Sequence, residues 1–320
     1  MNSSTAPAVS KPRRQHRLEL ALVRLLMRGV SWLSRRSLRR IGQVFGGLAY
    51  YLCRSRRRVA LANLDIAFGA TKTPAEKQRI ARASFQSLTS TMLGVLWHPQ
   101  VTDAQVREWV RVDPAQADWV RQVRDRGRGI IFVTLHFGDW EFLAWAAASH
   151  GFPLTVVARP LHNPLINDFI QNQRSQSGQR LVPAKSAATK LFKTLKRGGS
   201  VAMLIDQQVA ESDGGLWLPL FGLPICTTSA TAALALRTGA AIVFITGRSR
   251  PDGMTDIEIG PEIPCSATGD NAADVRTITQ QCLVACEQII CRSPESWLWS
   301  HKLWKHRRAN ATVPYPFYAR

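Results

Sequence analysis

A histidine, a turn glycine and two carboxylates fall within six residues of one another: His136, Gly138, Asp139 and Glu141. They close an apolar run that begins at Gly129. Imidazole titrates near neutrality, so a histidine steadied by a carboxylate can take a proton from a hydroxyl and remain stable as the cation. An apolar stretch bounded by Gly129 and Gly138 reads as a buried central strand. Strand ends in open α/β sheets are where ligands bind, so His136 stands where a general base is useful.

The spacing constrains which acid serves the base. In a continuous helix, residues five apart are separated by about 140° after a full turn, so His136 and Glu141 meet only across a turn. Gly138 permits that turn, and Asp139 is a suitable N-cap for an apolar helix over Trp140–Ser149. On this reading Asp139 caps, while Glu141 in the first turn faces back to His136 and fixes its tautomer. A second reading is equally open at this point: His136 is a satisfied core histidine, and both acids only complement the helix dipole.

The elements that must position these residues are legible as alternating periodicities. Strand-like runs occur at Gly129–Phe137, Pro153–Ala158, Ser200–Gln207, Ala240–Thr246 and Asp256–Ile263. Helical patterns occupy Ala75–Leu96, Trp140–Ser149, Pro164–Ser177, Ala187–Arg197 and Thr228–Gly239. This alternation predicts an α/β fold with a mostly parallel sheet flanked by helices. If the strands are parallel neighbours, His136, Arg159 and the pair Asp206-Gln207 end them at one sheet edge, bringing a base, a cation and an acid together.

The chain has 320 residues, 45% hydrophobic, enough for one large domain or two small ones. Its net charge of +20 calls for an anionic partner. Residues 1–60 hold 14 basic side chains and one acid, Glu19, and so carry +13 of that total. Residues 1–16 read as a disordered basic leader, and 17–60 as membrane-associated basic amphipathic helices. Within the latter, Leu18, Leu22, Leu25, Leu26, Val30 and Leu33 recur at helical spacing among arginines. The second apolar piece, Ile41–Cys53, is too short to cross a bilayer at about 20 residues per span. Arginines at its edges fit an anionic membrane surface, while a buried core helix with a solvated basic face is the alternative. No nucleic-acid motif accompanies the charge. Residues 61–320 complete an α/β domain. The six cysteines form no CxxC pair, and Cys282, Cys286 and Cys291 read as packing residues in a reducing compartment.

An ordered series of motifs resembles the late acyltransferases of lipid A biosynthesis, the lauroyl and myristoyl transferase type of the glycerolipid acyltransferase superfamily. It comprises Arg57-Arg58-Val-Ala-Leu-Ala-Asn63-Leu64, His136 with Glu141, and Arg159-Pro160-Leu-His-Asn163-Pro164, then Asp206-Gln207. Leu220-Phe-Gly-Leu-Pro224 with Thr227-Thr228 and Pro294-Glu-Ser-Trp297-Leu-Trp299-Ser-His301-Lys302-Leu-Trp304-Lys305 complete it. Leu303 stands where the family usually carries a basic residue, and Phe68-Gly69 where it shows Phe-Pro.

The resemblance implies an enzyme on the cytoplasmic face of the inner membrane. It would move a fatty acyl chain from acyl carrier protein, or coenzyme A, to a hydroxyl of a lipid A precursor. A lysophospholipid, an ornithine lipid or another amino-lipid is the alternative acceptor, and a non-catalytic membrane- or nucleic-acid-binding scaffold is the reading outside catalysis. The resemblance implies no metal or redox cofactor, the acyl thioester being a co-substrate, and no nucleic acid partner. It makes His136 and Glu141 catalytic, and Gly138, Asp139, Arg159, Asn163, Asp206 and Gln207 substrate-binding, with Asp206 supporting the site by pairing with Arg159. Backbone amides near Gly138, or Arg159, would hold the oxyanion, unless Arg159 instead grips a phosphate of the acceptor or of the phosphopantetheine arm. Phe221–Thr228 reads as a turn into a helix with apolar residues that line an acyl channel. Trp297, Trp299 and Trp304 beside lysines and arginines suit either a lipid headgroup interface or edge packing.

Overall fold

The computed structural model describes residues 13–97, 101–158, 160–308 and 311–320. Leader residues 1–12 lie outside this set, and the helix α1 (Arg14–Ser31) already includes the remainder of the expected leader but for Arg13. Among the described residues, 7 strands form one sheet in the order β1-β9-β8-β2-β5-β3-β4, numbered along the chain. Its centre is β2 (Ile130–Thr134), β5 (Ser200–Leu204) and β3 (Leu154–Ala158), parallel neighbours as expected. β4 (Arg180–Pro183) extends the parallel set at one edge. On the other side, β8 (Ala241–Ser249) runs parallel to β2, and β9 (Thr255–Ile263) turns back antiparallel to pair with β1 (Val110–Val112).

All five residues of β2 are buried, as a strand covered on both faces must be. Period-two alternation divides it between two cores. Ile131, Val133 and Leu135 pack with α3 (Arg54–Phe68), α4 (Pro74–Trp97), α10 (Ala230–Thr238) and α11 (Asn271–Arg292). Ile130 and Phe132 pack with α6 (Pro114–Asp125) and α7 (Trp140–Ser149). Helix starts follow local chemistry: Asp113 before Pro114 and Asn163 before Pro164 each cap a helix whose first residue, proline, has no amide to satisfy. The second of these is α8 (Pro164–Gln176), which precedes α9 (Ala187–Lys196). The short α5 (Asp103–Trp109) starts with a capping box formed by Thr102 and Gln105.

Three readings change at the level of elements. The stretch read as a turn leading into a helix holds that turn at Phe221–Gly222 and the helix, α10, from its N-cap Ser229, but between them it forms a hairpin of β6 (Gly215–Leu220) and β7 (Leu223–Thr228). Phe221 and Gly222 both take positive φ, the geometry of a two-residue hairpin turn. The boundary at residue 61 falls inside α3, so the basic N-terminal segment is continuous with the α/β domain. Finally, α2 (Arg35–Leu52) is built into the fold through α4. A Cβ added to Gly42 would lie 2.5 Å from Ser90 Oγ, and one on Gly46 would lie 2.4 Å from Gln86 Cα. The two glycines thus let the helix backbones approach closely on one face. The other face leaves Val44, Phe45, Leu48, Tyr51 and Leu52 exposed. No helix among the described residues is long and apolar enough to cross a membrane.

Gly69 accounts for the departure from Phe-Pro. It follows α3 with φ of 45°, which proline, held near −65°, is unable to adopt. Leu303 is 1% exposed and belongs to the larger core, where a basic side chain would be stranded.

Candidate active site

The register of the central strands brings the base to its acid. β2 and β5 pair Thr134 with Leu204, and two further steps in the same register set His136 opposite Asp206. His136 Nδ1 lies 2.8 Å from Asp206 Oδ1, and the His136 amide donates to Asp206 Oδ2 at 2.8 Å. Trp297 Nε1 donates to that same Oδ2 at 2.8 Å. An ionised carboxylate only accepts, so Nδ1 carries the proton and Nε2 keeps its lone pair for chemistry. Asp206 is 3% exposed, and the three donors replace the water it has lost. Burial pushes its carboxyl up, but the His136 charge and the hydrogen bonds from His136 and Trp297 win, holding it below its ordinary value. Burial pulls the His136 imidazole down, and the charge and hydrogen bond of Asp206, with the charge of Glu141, more than reverse that, raising it above 6.5.

Glu141 therefore does not fix the tautomer; that part of the expectation is corrected. Arg174 on α8 holds its carboxylate through Nη2 at 2.5 Å and Nε at 3.2 Å, a bidentate pair. Its first-turn position on α7 turns it to α8, while Asp206 already fills the place beside Nδ1. Glu141 acts on His136 through its charge, at longer range. Asp206 is bound by His136 and Trp297; the expected partnership with Arg159 concerns a residue outside the described set.

The turn after His136 is pinned from three sides. Leu298 N donates to His136 O at 3.1 Å, Gly138 N to Ser296 O at 2.9 Å, and Asp139 N to Gly247 O at 3.2 Å. Gly138 adopts φ of 56°, and its ideal Cβ would sit 2.0 Å from Gly247 O, so glycine is required there on both counts. Phe137 N is bonded to Leu135 O. The amides expected to form an oxyanion hole are thus already engaged, and the polar donor beside the imidazole is Gln207, whose Nε2 lies 3.3 Å from both ring nitrogens. The Trp140 ring meets the imidazole edge-on at 5.3 Å.

Asn163 stands apart from this cluster: it caps α8 and donates to His16 O and Glu19 on α1. Asp139 caps α7 through Phe142 N, as expected, and its carboxyl faces the charges of Arg35 and Arg39 on α2. Burial drives its pKa from 3.8 to about 6 against the opposing pull of Arg35. Trp297, Trp299 and Trp304 are at most 1% exposed, so the headgroup-interface alternative is excluded for them. Trp297 and Trp299 pack at 4.7 Å, with Phe221 against both, and Ser84 Oγ donates to Trp297 O at 2.5 Å. This aromatic wall, not visible as such in the sequence, steadies Asp206. His301, part of the C-terminal motif but given no role there, lies near the site: burial, then the nearby His136 charge, hold it below 6.5. Among the described residues no three His, Cys, Asp or Glu side chains gather as a metal site would require.

Comparison with known proteins gives an independent view of the same chain. Residues 8–306 match the profile of the family described as bacterial lipid A biosynthesis acyltransferase. The chain is 28% identical over 276 residues, 84% of its own length and 85% of the relative's, to a protein named lipid A biosynthesis lauroyltransferase from Escherichia coli. It is 25% identical over 273 residues, 83% of its length and 84% of the relative's, to lipid A biosynthesis palmitoleoyltransferase of the same organism. Phosphatidylinositol mannoside acyltransferase of Mycolicibacterium smegmatis is 24% identical over 260 residues, 79% of this chain and 82% of that protein.

Two outcomes follow from the electrostatics. A general base works deprotonated, so turnover rises with pH through the His136 pKa, which lies above 6.5 in the wild type. Asp206→Asn removes the charge that raises it and disturbs the tautomer; pH–rate profiles should show a fall of about 10²- to 10⁴-fold and an acid limb moved to lower pH. Glu141→Gln should move that limb less, and the reverse ranking would refute the assignment. For Asp139, folded and ordinary pKa values of about 6 and 3.8 mean that the folded state holds more protons between them, so stability falls as pH rises through that window. Asp139→Asn keeps the cap and should stabilise the protein by up to about 3 kcal/mol in urea unfolding at pH 7.5, with the gain fading at pH 4.

Proposed function

The chain belongs to the bacterial lipid A biosynthesis acyltransferase family and is an acyltransferase; from that premise we propose that it moves a fatty acyl chain from an acyl carrier protein thioester, or a coenzyme A thioester, to a hydroxyl of a lipid A precursor. The observation that carries this reading is a histidine whose Nδ1 is bound to a buried carboxylate, which leaves the Nε2 lone pair, with the Gln207 amide 3.3 Å away, to take a substrate proton. A hydroxyl is a weak nucleophile near neutrality, and a positioned base of raised pKa is what its activation needs.

In this mechanism the acceptor hydroxyl attacks the thioester carbonyl as Nε2 takes its proton. A C–O bond forms, and the tetrahedral intermediate carries its charge on the former carbonyl oxygen, within reach of a donor such as Gln207 Nε2. Collapse breaks the C–S bond, and the imidazolium returns the proton to the departing thiolate. Asp206 stays ionised throughout and stabilises the imidazolium, as the acid does in serine hydrolase triads. Glu141, fixed by Arg174, adds negative potential that favours the same cation.

The reaction would take place at the cytoplasmic face of the inner membrane. Exposed Leu18, Leu22, Leu25, Leu26 and Trp32 on and beside α1 and the exposed apolar face of α2 support this, with arginines at their margins. Such a surface lies in the interface rather than across the bilayer, with its cations against anionic lipid. A lysophospholipid, an ornithine lipid or another amino-lipid acceptor is the second reading. It is favoured by the buried Leu303 in place of a family cation and by similarity to a protein named for phosphatidylinositol mannoside.

Purified protein and His136→Ala, each given acyl carrier protein charged with lauroyl or myristoyl chains and an under-acylated lipid A precursor, test the proposal. Wild type should transfer the chain, and His136→Ala should lose at least about 10³-fold of that rate. A folded, vesicle-bound wild type that acylates only lysolipids or amino-lipids would replace the acceptor. One that acylates none of them would refute the reading.

A further inference from the structure

Behind the pinned turn lies a cavity of about 480 Å³ that the chemistry above does not use. Its wall includes Gly138 and Asp139, two and three residues from His136. At roughly 3.3–3.6 Å per residue, these wall residues lie no more than about 11 Å from His136, measured between Cα atoms. Arg35 and Arg39 reach it from α2, and Arg248 and Arg250 from the end of β8 and the turn that follows.

Their electrostatic settings differ. Of the outer pair, Arg250 is held by Asp256 at 3.0 Å and Asp252 at 3.8 Å, while Arg248 lies 3.9 Å from the shared Asp256 and keeps unspent charge. Neither Arg35 nor Arg39 has a carboxylate in ion-pair contact among the described residues. Arg35 is braced, its guanidinium stacked 4.2 Å from the centre of the Phe142 ring and bonded through Nη2 to Thr255 Oγ1 at 2.7 Å. Yet Nη1 of Arg35 and Nη1 of Arg39 are both shielded from solvent with no hydrogen-bond partner. Burial lowers the pKa of both guanidinium groups, against the pull of Asp139. The remaining acid on the wall, Glu295, is exposed. Desolvated cations with unused donors are costly unless something completes them. The first turn of α2 also holds no acid to offset them, at the helix end that favours negative charge.

We propose that this cavity is a phosphate subsite: Arg35 and Arg39, with Arg248 closing from the opposite wall, bind the phosphoryl group of a phosphorylated substrate whose reacting end lies at His136. Planar guanidinium forks from two elements match a tetrahedral oxyanion with several acceptor oxygens better than they match a single carboxylate. The source of the phosphate rests on the acyltransferase reading, since acceptor headgroup and phosphopantetheine arm share this chemistry; the subsite itself does not.

Binding measured without any acyl donor separates the two. The full chain is titrated with glucose 1-phosphate, 4′-phosphopantetheine, inorganic phosphate and uncharged glucose, read by calorimetry and by quenching of Trp97, which lines the cavity. Saturable binding of at least one phosphorylated probe, and none of glucose, is expected. Arg39→Gln and Arg248→Gln should each weaken it tenfold or more, while Arg40→Gln, exposed and outside the cavity, and His136→Ala should not. Preference for the sugar phosphate assigns the acceptor, preference for phosphopantetheine the donor, and equal affinity the phosphate group alone. No saturable binding, or equal weakening by Arg40→Gln, overturns the subsite. So does unchanged affinity in Arg39→Gln and Arg248→Gln whose circular dichroism matches wild type. Failed acyl transfer with intact phosphate binding would count against the acyltransferase reading alone.

Discussion

Everything at this site depends on keeping one carboxylate ionised where it is almost dry. Asp206 sits at 3% exposure and would protonate there if it were left alone. Three N–H groups prevent that: the His136 amide, the His136 ring and the Trp297 indole. Each is delivered by a different part of the fold. The amide follows from β2–β5 register, the ring from the turn at Gly138, and the indole from the aromatic wall under Ser84 and Phe221. The interaction also works in reverse, since the same carboxylate sets the imidazole tautomer and raises its basicity.

The sheet that makes this possible was largely legible in the sequence, and the pairing inside the site was not. Buried runs such as Ile130–Thr134 announce strands because a strand covered on both faces has no polar positions to spare. Convergence of His136 and Asp206 at one edge followed from assuming parallel neighbours, and the order β2-β5-β3 bears that out. Which acid touches the imidazole was beyond reach, because proximity along the chain favours Glu141 while strand register favours Asp206. Register is a property of two segments 70 residues apart. The turn at Phe221–Gly222 was legible, but the pairing of Gly215–Leu220 with Leu223–Thr228 around it was not, because it too is a matter of register between segments. The tryptophans near the C-terminus suited either an interface or packing in the sequence, and the fold decides for packing: Asn63 binds the carbonyls of Trp299 and His301 and draws the segment inward.

The basic N-terminal segment shows how one charge pattern can serve several ends. Its arginines looked like a uniform rim for an anionic surface. In the fold they divide: Arg40 is exposed, Arg36 is tied to the Asp252 carbonyl, and Arg35 and Arg39 turn inward behind the catalytic turn. Gly42 and Gly46 enforce that division by bringing α2 against α4 on one face and leaving apolar side chains outside on the other. The helix expected on a membrane surface is therefore also a wall of the cavity behind the turn after His136.

The central claim is that Asp206, across the sheet, and not Glu141, along the chain, sets the state of His136. Long-range ¹H–¹⁵N correlation spectra of imidazole-labelled protein, with the His136 signals assigned by substitution, test it most directly. The account predicts a neutral His136 protonated on Nδ1, titrating above 6.5, whose tautomer persists in Glu141→Gln and is lost in Asp206→Asn. A neutral ring protonated on Nε2, or a tautomer that survives Asp206→Asn but not Glu141→Gln, would contradict it.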